Sequence, residues 1–271
     1  MINDEHRGAE ERLKKKRRKE RIEKIGYFAA SFGILFIVWE STRAVGLIDP
    51  KLFPSIGAVF KAFLAGLRDG GLQAHIYASL LRVLTSFTIG ILLAVVFGFL
   101  VGWFRIVRLL LDPMINFFRA LPPIALIPLM IIFFGIGETS KLVVLSYASF
   151  FPAMVVIYQA LVGLDPIYIR AAKTLGARNM EIFRKIILPQ LVPHIITACR
   201  VSLGVCWATL VAAELIAAQK GIGAMMVDAQ NFFQMAPLVL GILMIGAISL
   251  VMDAMVRAVE RRATSWQEKM A

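Results

Sequence analysis

Residues 170–189 begin Arg170-Ala171-Ala172-Lys173-Thr174-Leu175-Gly176, continue for nine residues, and end Ile186-Ile187-Leu188-Pro189. This stretch decides the fold, because it is polar while the chain on either side is apolar for long enough to span a bilayer. Its five basic residues (Arg170, Lys173, Arg178, Arg184 and Lys185) face one acid, Glu181. A short basic loop between membrane helices points to a docking surface for a cytosolic partner. Local chemistry predicts a helical hairpin. Asp165 can cap a helix and Pro166 fits its first turn, where a missing N–H costs nothing. Ala171, Ala172, Leu175 and Gly176 then fall on one small-residue face, and Gly176 is a natural stop. Asn179 can start a second short helix with an apolar side of Ile182, Phe183, Ile186 and Ile187. Pro189 and Pro193 punctuate the return to the membrane. An interfacial loop that only anchors two membrane helices fits the same spacing.

The rest of the chain agrees with a membrane protein. Hydrophobic residues make up 59% and mean hydropathy is +0.75, whereas soluble domains run near 45–50% apolar by a broader count. Net charge is +12, which invites a nucleic-acid reading. Its distribution argues against one. Residues 1–25 hold ten Lys or Arg and six Asp or Glu, so a third of the net charge sits in a tail. Most other basic residues lie in short loops beside apolar runs, as the positive-inside rule produces. The tail is read as a solvated arm or a basic helix on anionic lipid.

Six spans meet the ~20-residue requirement: about Ile25–Thr42, Leu80–Phe104, Leu109–Ile136, Leu142–Val162, Leu191–Ala217 and Pro237–Val259. The third is interrupted by Pro122, Pro123 and Pro128. The basic residues of the N-terminal arm, the Arg105/Arg108 turn, the 165–190 loop and the Arg257/Arg261/Arg262 end must share one side. An even number of spans allows this, with both termini cytoplasmic. The 45–78 segment is then external, with a short amphipathic helix near Ser55–Leu67, and so is a loop at 218–236. The first apolar run lacks a small-residue cleavage site and is expected to stay as an anchor. The expected organisation is a basic arm at 1–24, a transmembrane domain at 25–262 holding the hairpin at 165–189, and a cytoplasmic tail at 263–271.

The residues now resemble a family. Ala171-Ala172, three residues, Gly176, nine residues and Ile186-Ile187-Leu188-Pro189 look like the cytoplasmic loop signature of ABC importer permeases. Arg170 stands where the family usually has Glu. Leu121-Pro122-Pro123-Ile124-Ala125-Leu126-Ile127-Pro128-Leu129 followed by Phe134-Gly135-Ile136-Gly137-Glu138 resembles the nitrate/sulfonate/taurine branch. So does Ser202-Leu203-Gly204-Val205-Cys206-Trp207 followed by Leu210-Val211-Ala212-Ala213-Glu214. The closest resemblance is to taurine permeases, through Ile136–Lys141, Ile169–Ala172 and Leu210–Ala217. It covers about residues 45–262. It implies an all-α, polytopic, type I ABC importer permease fold in the cytoplasmic (inner) membrane, working as a homodimer. Two ABC ATPase subunits inside and a periplasmic or extracellular binding protein outside are the implied partners. The coupling residues would be Arg170, Ala171, Ala172, Leu175, Gly176, Leu188 and Pro189. Arg170 would seek an acidic or carbonyl partner on the ATPase, where a Glu would seek a basic one.

Gly135-Ile136-Gly137-Glu138-Thr139-Ser140-Lys141 fails the P-loop pattern, which needs Gly-Lys-Ser/Thr after four spacers. It reads as a turn, so ATP must bind another chain. Cys199 and Cys206 lie seven residues apart on one helix, roughly 10 Å along its axis, too far for a disulfide. No metal or cofactor is expected. The prolines free backbone carbonyls, and irregular backbone at membrane depth lies inside protein or beside a wet cavity. A translocation path by Arg119, Pro122, Pro123, Ser202, Trp207, Thr209 and Glu214 follows as an expectation. Glu214 would meet an ammonium and Arg119 a sulfonate, although a structural Glu214 or an interfacial Arg119 fits equally well. Arg82 and Asp253 read as snorkelling residues, Gly98-x-x-x-Gly102 as a close-approach motif, and His75 and His194 as lacking partners. The expected cargo is a sulfonate such as taurine. Other alkanesulfonates, nitrate and small aromatic acids remain open, as do an ion-gradient carrier and a non-transporting scaffold.

Overall fold

The computed structural model describes residues 33–43 and 52–264 continuously, with residues 23, 26, 27, 30, 31, 45, 46 and 49 besides. The expected N-terminal arm and C-terminal tail lie almost wholly outside the described residues, and the first span lies partly outside them. The described residues contain helices and no strand. In order these are α1 (Ile56–Arg68), α2 (Gly71–Trp103), α3 (Arg105–Ala120), a 3-10 turn (Pro123–Leu126), α4 (Ile127–Phe134), α5 (Glu138–Val162), α6 (Pro166–Thr174), α7 (Asn179–Ile182), a π turn (Phe183–Ile187), α8 (Leu188–Ala217), α9 (Ile222–Asn231) and α10 (Met235–Ala263).

Contacts divide the chain after Phe60. In the first unit residues 33–43 are helical. The Trp39 indole donates to the Pro54 carbonyl (3.1 Å), and Glu40 accepts the Ile56 N–H (3.2 Å). A carboxylate thus sits at the start of α1, where the helix dipole favours it.

In the second unit, α2, α5, the run Asn179–Ala217 and α10 are long and apolar enough to cross a membrane. The pair Arg105–Ala120 and Pro123–Phe134, bent by 87°, passes the same test together. The break falls at the prolines, as expected. Pro122 has no N–H to return to the Phe118 carbonyl. Leu121 reaches that carbonyl in a tighter turn (3.2 Å), and the Tyr147 hydroxyl of α5 donates to it as well. Tyr158 also donates to Asp112 (3.2 Å), so α5 braces α3 at two points.

Two expectations need correction. The helix that carries span two begins at Gly71 rather than near Leu80, which places Arg82 about 16 Å into the helix at 1.5 Å per residue. The segment 218–236, expected as a loop, contains the ten-residue helix α9, because 222–231 carries few residues that oppose a helix beyond Gly223.

The core is a close seam between α2 and α5. Ser86, Gly90, Ala94, Gly98 and Gly102 recur every four residues along α2, so they share one face. The first four are buried. A Cβ on Gly90 would stand 2.7 Å from the Ser146 carbonyl oxygen, one on Gly98 2.9 Å from Ile157, and one on Gly102 2.6 Å from Leu161. The GxxxG pair is therefore the end of a longer small-residue ladder. Small residues let backbones approach where lipid supplies no hydrophobic drive between helices.

Gly90→Ala should therefore destabilise the protein by about 1–3 kcal/mol, the range for overpacking. Gly71→Ala, with open space around its Cβ, should not. Thermal unfolding in detergent would compare the two, and equal melting temperatures would refute the packing account.

Candidate functional site

The hairpin is assembled by its own backbone. Asp165 Oδ1 accepts the Ile167 N–H at 2.8 Å, and Pro166 opens α6. At the other end Gly176 takes φ +79°, a left-handed conformation that favours glycine. Its N–H bonds the Lys173 carbonyl, and the Ala177 N–H bonds the Ala172 carbonyl, both at 3.0 Å. This pair of bonds is a Schellman ending. Glu181 then accepts the Arg178 N–H (3.0 Å) to start α7.

The expected single small-residue face is not what forms. Ala172 is buried, while Ala171, Leu175 and Gly176 are exposed, because Ala172 turns in against Leu161, Ile182, Ile187 and Leu191. Leu175 is 88% exposed at the turn. Arg170 is also exposed, Leu188 is 37% exposed and Pro189 is half-buried. The second helix buries Ile182 and Ile187 and half-buries Phe183 and Ile186. It passes through the π turn into α8, and Asn179–Ala217 forms one 39-residue helical run. The hairpin is thus the end of a membrane helix.

At the opposite end of that run lies Glu214, 1% exposed. Its Oε1 accepts from Arg82 Nη1 (2.7 Å) and from the Ser79 hydroxyl (2.7 Å), and its Oε2 accepts the Gly223 N–H (2.8 Å). Ser79 in turn accepts the Ile222 N–H (2.8 Å). The carboxylate therefore sits at the N-terminus of α9, which favours an anion. Arg82 also grips Glu138 with two nitrogens, at 2.6 and 2.8 Å, and donates to the Lys220 carbonyl (2.5 Å). Lys141 Nζ lies 3.0 Å from Glu138. Two cations and two carboxylates balance in charge, and the geometry is bidentate. The loop lies almost on the carboxylate, since a Cβ on Gly221 would stand 2.4 Å from it, at a φ of +140°.

These contacts revise three sequence readings. Arg82 is buried and ion-paired, so it does not snorkel. Asp253 bonds Arg200 (3.0 Å) and pairs with Arg257, so it too is engaged within the protein. His75, expected to lack a partner, meets the Gly221 backbone at 2.8 and 3.1 Å through one ring nitrogen. The signal for this cluster was present: His75, Ser79 and Arg82 fall four and three residues apart on one face. Their partners lie more than 50 residues away, where spacing gives no guidance.

The expected path residues divide. Arg119 and Pro122 are exposed, Pro123 is half-buried, and Ser202, Trp207 and Thr209 are buried. Thr209 donates to the Val205 carbonyl (2.8 Å). Ser202 Oγ and Trp207 Nε1 are buried without a hydrogen-bond partner among the described residues. No ion pair or hydrogen bond joins Arg119 to Glu214, whose carboxylate is already taken up by Arg82, Ser79 and Gly223.

Comparison with known proteins agrees with this architecture. Residues 86–265 match the model of the binding-protein-dependent transport system inner membrane component family. The "Probable ABC transporter permease protein" of Brucella abortus (strain 2308) is 40% identical over 249 residues, 92% of this chain and 98% of that one. The taurine transport system permease protein of Escherichia coli (strain K12) is 36% identical over 241 residues, 87% and 88% of the two chains. Among solved structures, the MetNI methionine ABC transporter superposes with a TM-score of 0.57 at 21% identity, covering 71% of this chain and 97% of that one. The last is a likeness of fold.

Arg82→Met should cost about 3–5 kcal/mol, because it leaves Glu214 buried without its cation. Glu181→Gln, at the exposed hairpin, should change stability by less than about 1 kcal/mol. Melting temperatures of the two purified variants would test the difference, and an unshifted Arg82→Met would refute the burial argument.

Proposed function

The chain belongs to the family of binding-protein-dependent transport system inner membrane components, the permeases of ABC importers, and we propose that it carries a small sulfonate such as taurine. It is a multi-pass inner-membrane transport component rather than an enzyme. Permeases of this family work with ATPase and binding-protein partners. Two copies of this chain would form the path, with two ATPase subunits on the hairpin side and both termini cytoplasmic.

The observation that carries this reading is the hairpin. Leu175 stands out of the turn, 88% exposed, with exposed Arg170 and Arg178 on either side of it in sequence, and the hairpin runs without interruption into the helix bearing Ser202, Trp207 and Glu214. A push on 175–187 would move α8 as a rigid body, the kind of displacement that opens a path to alternate sides. The π turn within that run is a frequent feature of functional sites. The taurine transport permease of Escherichia coli, 36% identical, supports a sulfonate cargo, and so does a putative aliphatic sulfonates transport permease of Bacillus subtilis (strain 168), 29% identical over 234 residues. The nitrate import permease of Synechocystis, 26% identical over 252 residues, keeps nitrate as the competing cargo. Along the path, Ser202 Oγ and Trp207 Nε1 are the buried polar atoms that a hydrated passage would satisfy. Glu214 serves as an anchor for α2, α8 and α9, with Arg82 supplying its cation.

Uptake of labelled taurine should depend on this chain and resist excess nitrate. Chain-dependent uptake abolished by nitrate would assign the other cargo. For coupling, Gly176→Asn keeps a residue that tolerates the left-handed turn, while Gly176→Asp adds a charge at the same shape. The Asp variant should lose substrate-stimulated ATPase activity and the Asn variant should retain it. Leu175→Ala should weaken ATPase-subunit binding by about 2 kcal/mol, as for a central contact residue. Full coupling in both Gly176→Asp and Leu175→Ala would refute the docking assignment.

A further inference from the structure

Two cavities meet at Trp103, where α2 ends beside the hairpin. The first, about 340 Å³, is a wholly apolar groove formed by Val96, Phe99, Leu100, Trp103, Phe104 and Phe183. The four α2 residues Val96, Phe99, Leu100 and Trp103 recur at 0, 3, 4 and 7, one face of the last two turns, and run about 10 Å along the axis at 1.5 Å per residue, with Phe104 capping the helix beyond them. Val96, Leu100, Trp103 and Phe104 are exposed on a helix that crosses the membrane. An acyl chain can lie along such a face, and the groove spans about two thirds of the ~15 Å of hydrocarbon in one leaflet.

The second cavity, about 400 Å³, lies between Trp103 and the hairpin, and its polar side chains are Lys173 and Asn179. Lys173 has no ion-pair partner among the described residues, and the neighbouring carboxylates are engaged. Glu181 holds the Arg178 N–H and lies 3.8 Å from Lys185, while Asp165 holds the Ile167 N–H. The Phe183 ring lines the apolar groove, 5.7 Å from Phe99 and 6.1 Å from Trp103. A ligand filling both would touch the membrane helix and the first residue of the π turn together.

We propose that these two adjoining cavities, which share Trp103, together bind one glycerophospholipid with an anionic headgroup, its acyl chain in the Val96–Phe104 groove and its phosphate beside Lys173. The apolar groove requires a chain, and the free lysine in the adjoining cavity selects the charge. A basic pocket beside membrane helices is a known form of headgroup site. A soluble phosphate would leave the groove unfilled. Occupancy would brace the hairpin against α2, whatever cargo the protein carries.

The test uses the full-length chain in phosphatidylcholine bilayers containing a small fraction of brominated phosphatidylglycerol or brominated phosphatidylcholine. The quenching of Trp103 is the difference between wild type and Trp103→Phe. Phosphatidylglycerol should half-quench it at about a fivefold lower mole fraction than phosphatidylcholine, the selectivity one lysine gives near a membrane surface. Lys173→Gln should erase that preference, and Leu100→Phe, which fills the groove, should abolish quenching at low mole fraction. Equal quenching by the two lipids in wild type would overturn the proposal, as would an unchanged preference in Lys173→Gln. Because Trp103 itself lines the site, mass spectrometry of the intact protein supplies an independent count. Phosphatidylglycerol retained by wild type and lost from Lys173→Gln is expected, whereas retention by both or by neither overturns the assignment.

Discussion

The guanidinium of Arg82 is held between two carboxylates, and much of the second unit depends on that arrangement. A charge this deep would be intolerable alone, since an unpaired buried ion costs several kcal/mol. Glu138 and Glu214 meet it from different helices, and Lys141 and Ser79 complete the set. The contact fixes three long helices and the start of α9 at one end of the bundle. It also explains the loop sequence Gly221-Ile222-Gly223. The chain must pass within touching distance of the Glu214 carboxylate and aim two N–H groups at it and at Ser79, which leaves no room for a Cβ at Gly221 or Gly223.

From that clamp the structure runs down the seam between α2 and α5. The small residues at every fourth position bring the two helices close enough for van der Waals packing and leave larger side chains to neighbouring faces. The prolines after α3 then turn the chain through 87°. Their cost is a carbonyl at Phe118 without its usual donor, and Tyr147 meets that cost from α5. A helix break within a membrane is thus stabilised by a polar side chain on the helix beside it, as the absence of water requires.

At the far end the hairpin has few large anchors of its own. Ala172, Ile182 and Ile187 hold it to Leu161 and Leu191, and Phe183 packs edge-on against Phe99 and Trp103. This modest core suits an element that must transmit displacement. Rigidity comes from the turn bonds at Asp165, Gly176 and Glu181, and connection comes from the unbroken run through the π turn. Leu175 can therefore be exposed on the surface while the backbone beneath it is firmly set.

The sequence by itself determined the membrane class, the proline break and the residues Asp165, Pro166 and Gly176 that start and stop the hairpin's first helix, while the second helix runs through Pro189 and Pro193 into α8. These are local properties, written in hydropathy, proline chemistry and capping. It also singled out Glu214, Arg82 and Asp253 as ionisable residues in apolar surroundings. Only the tertiary structure decided what they do. Arg82 and Glu214 are separated by 132 residues, and Arg200 and Asp253 by 53, so no spacing rule connects them. The face that Ala172 buries, the helix inside the supposed 218–236 loop and the partner of His75 were hidden for the same reason. Each depends on which distant backbone lies alongside, and helical periodicity reveals a face without naming its neighbour.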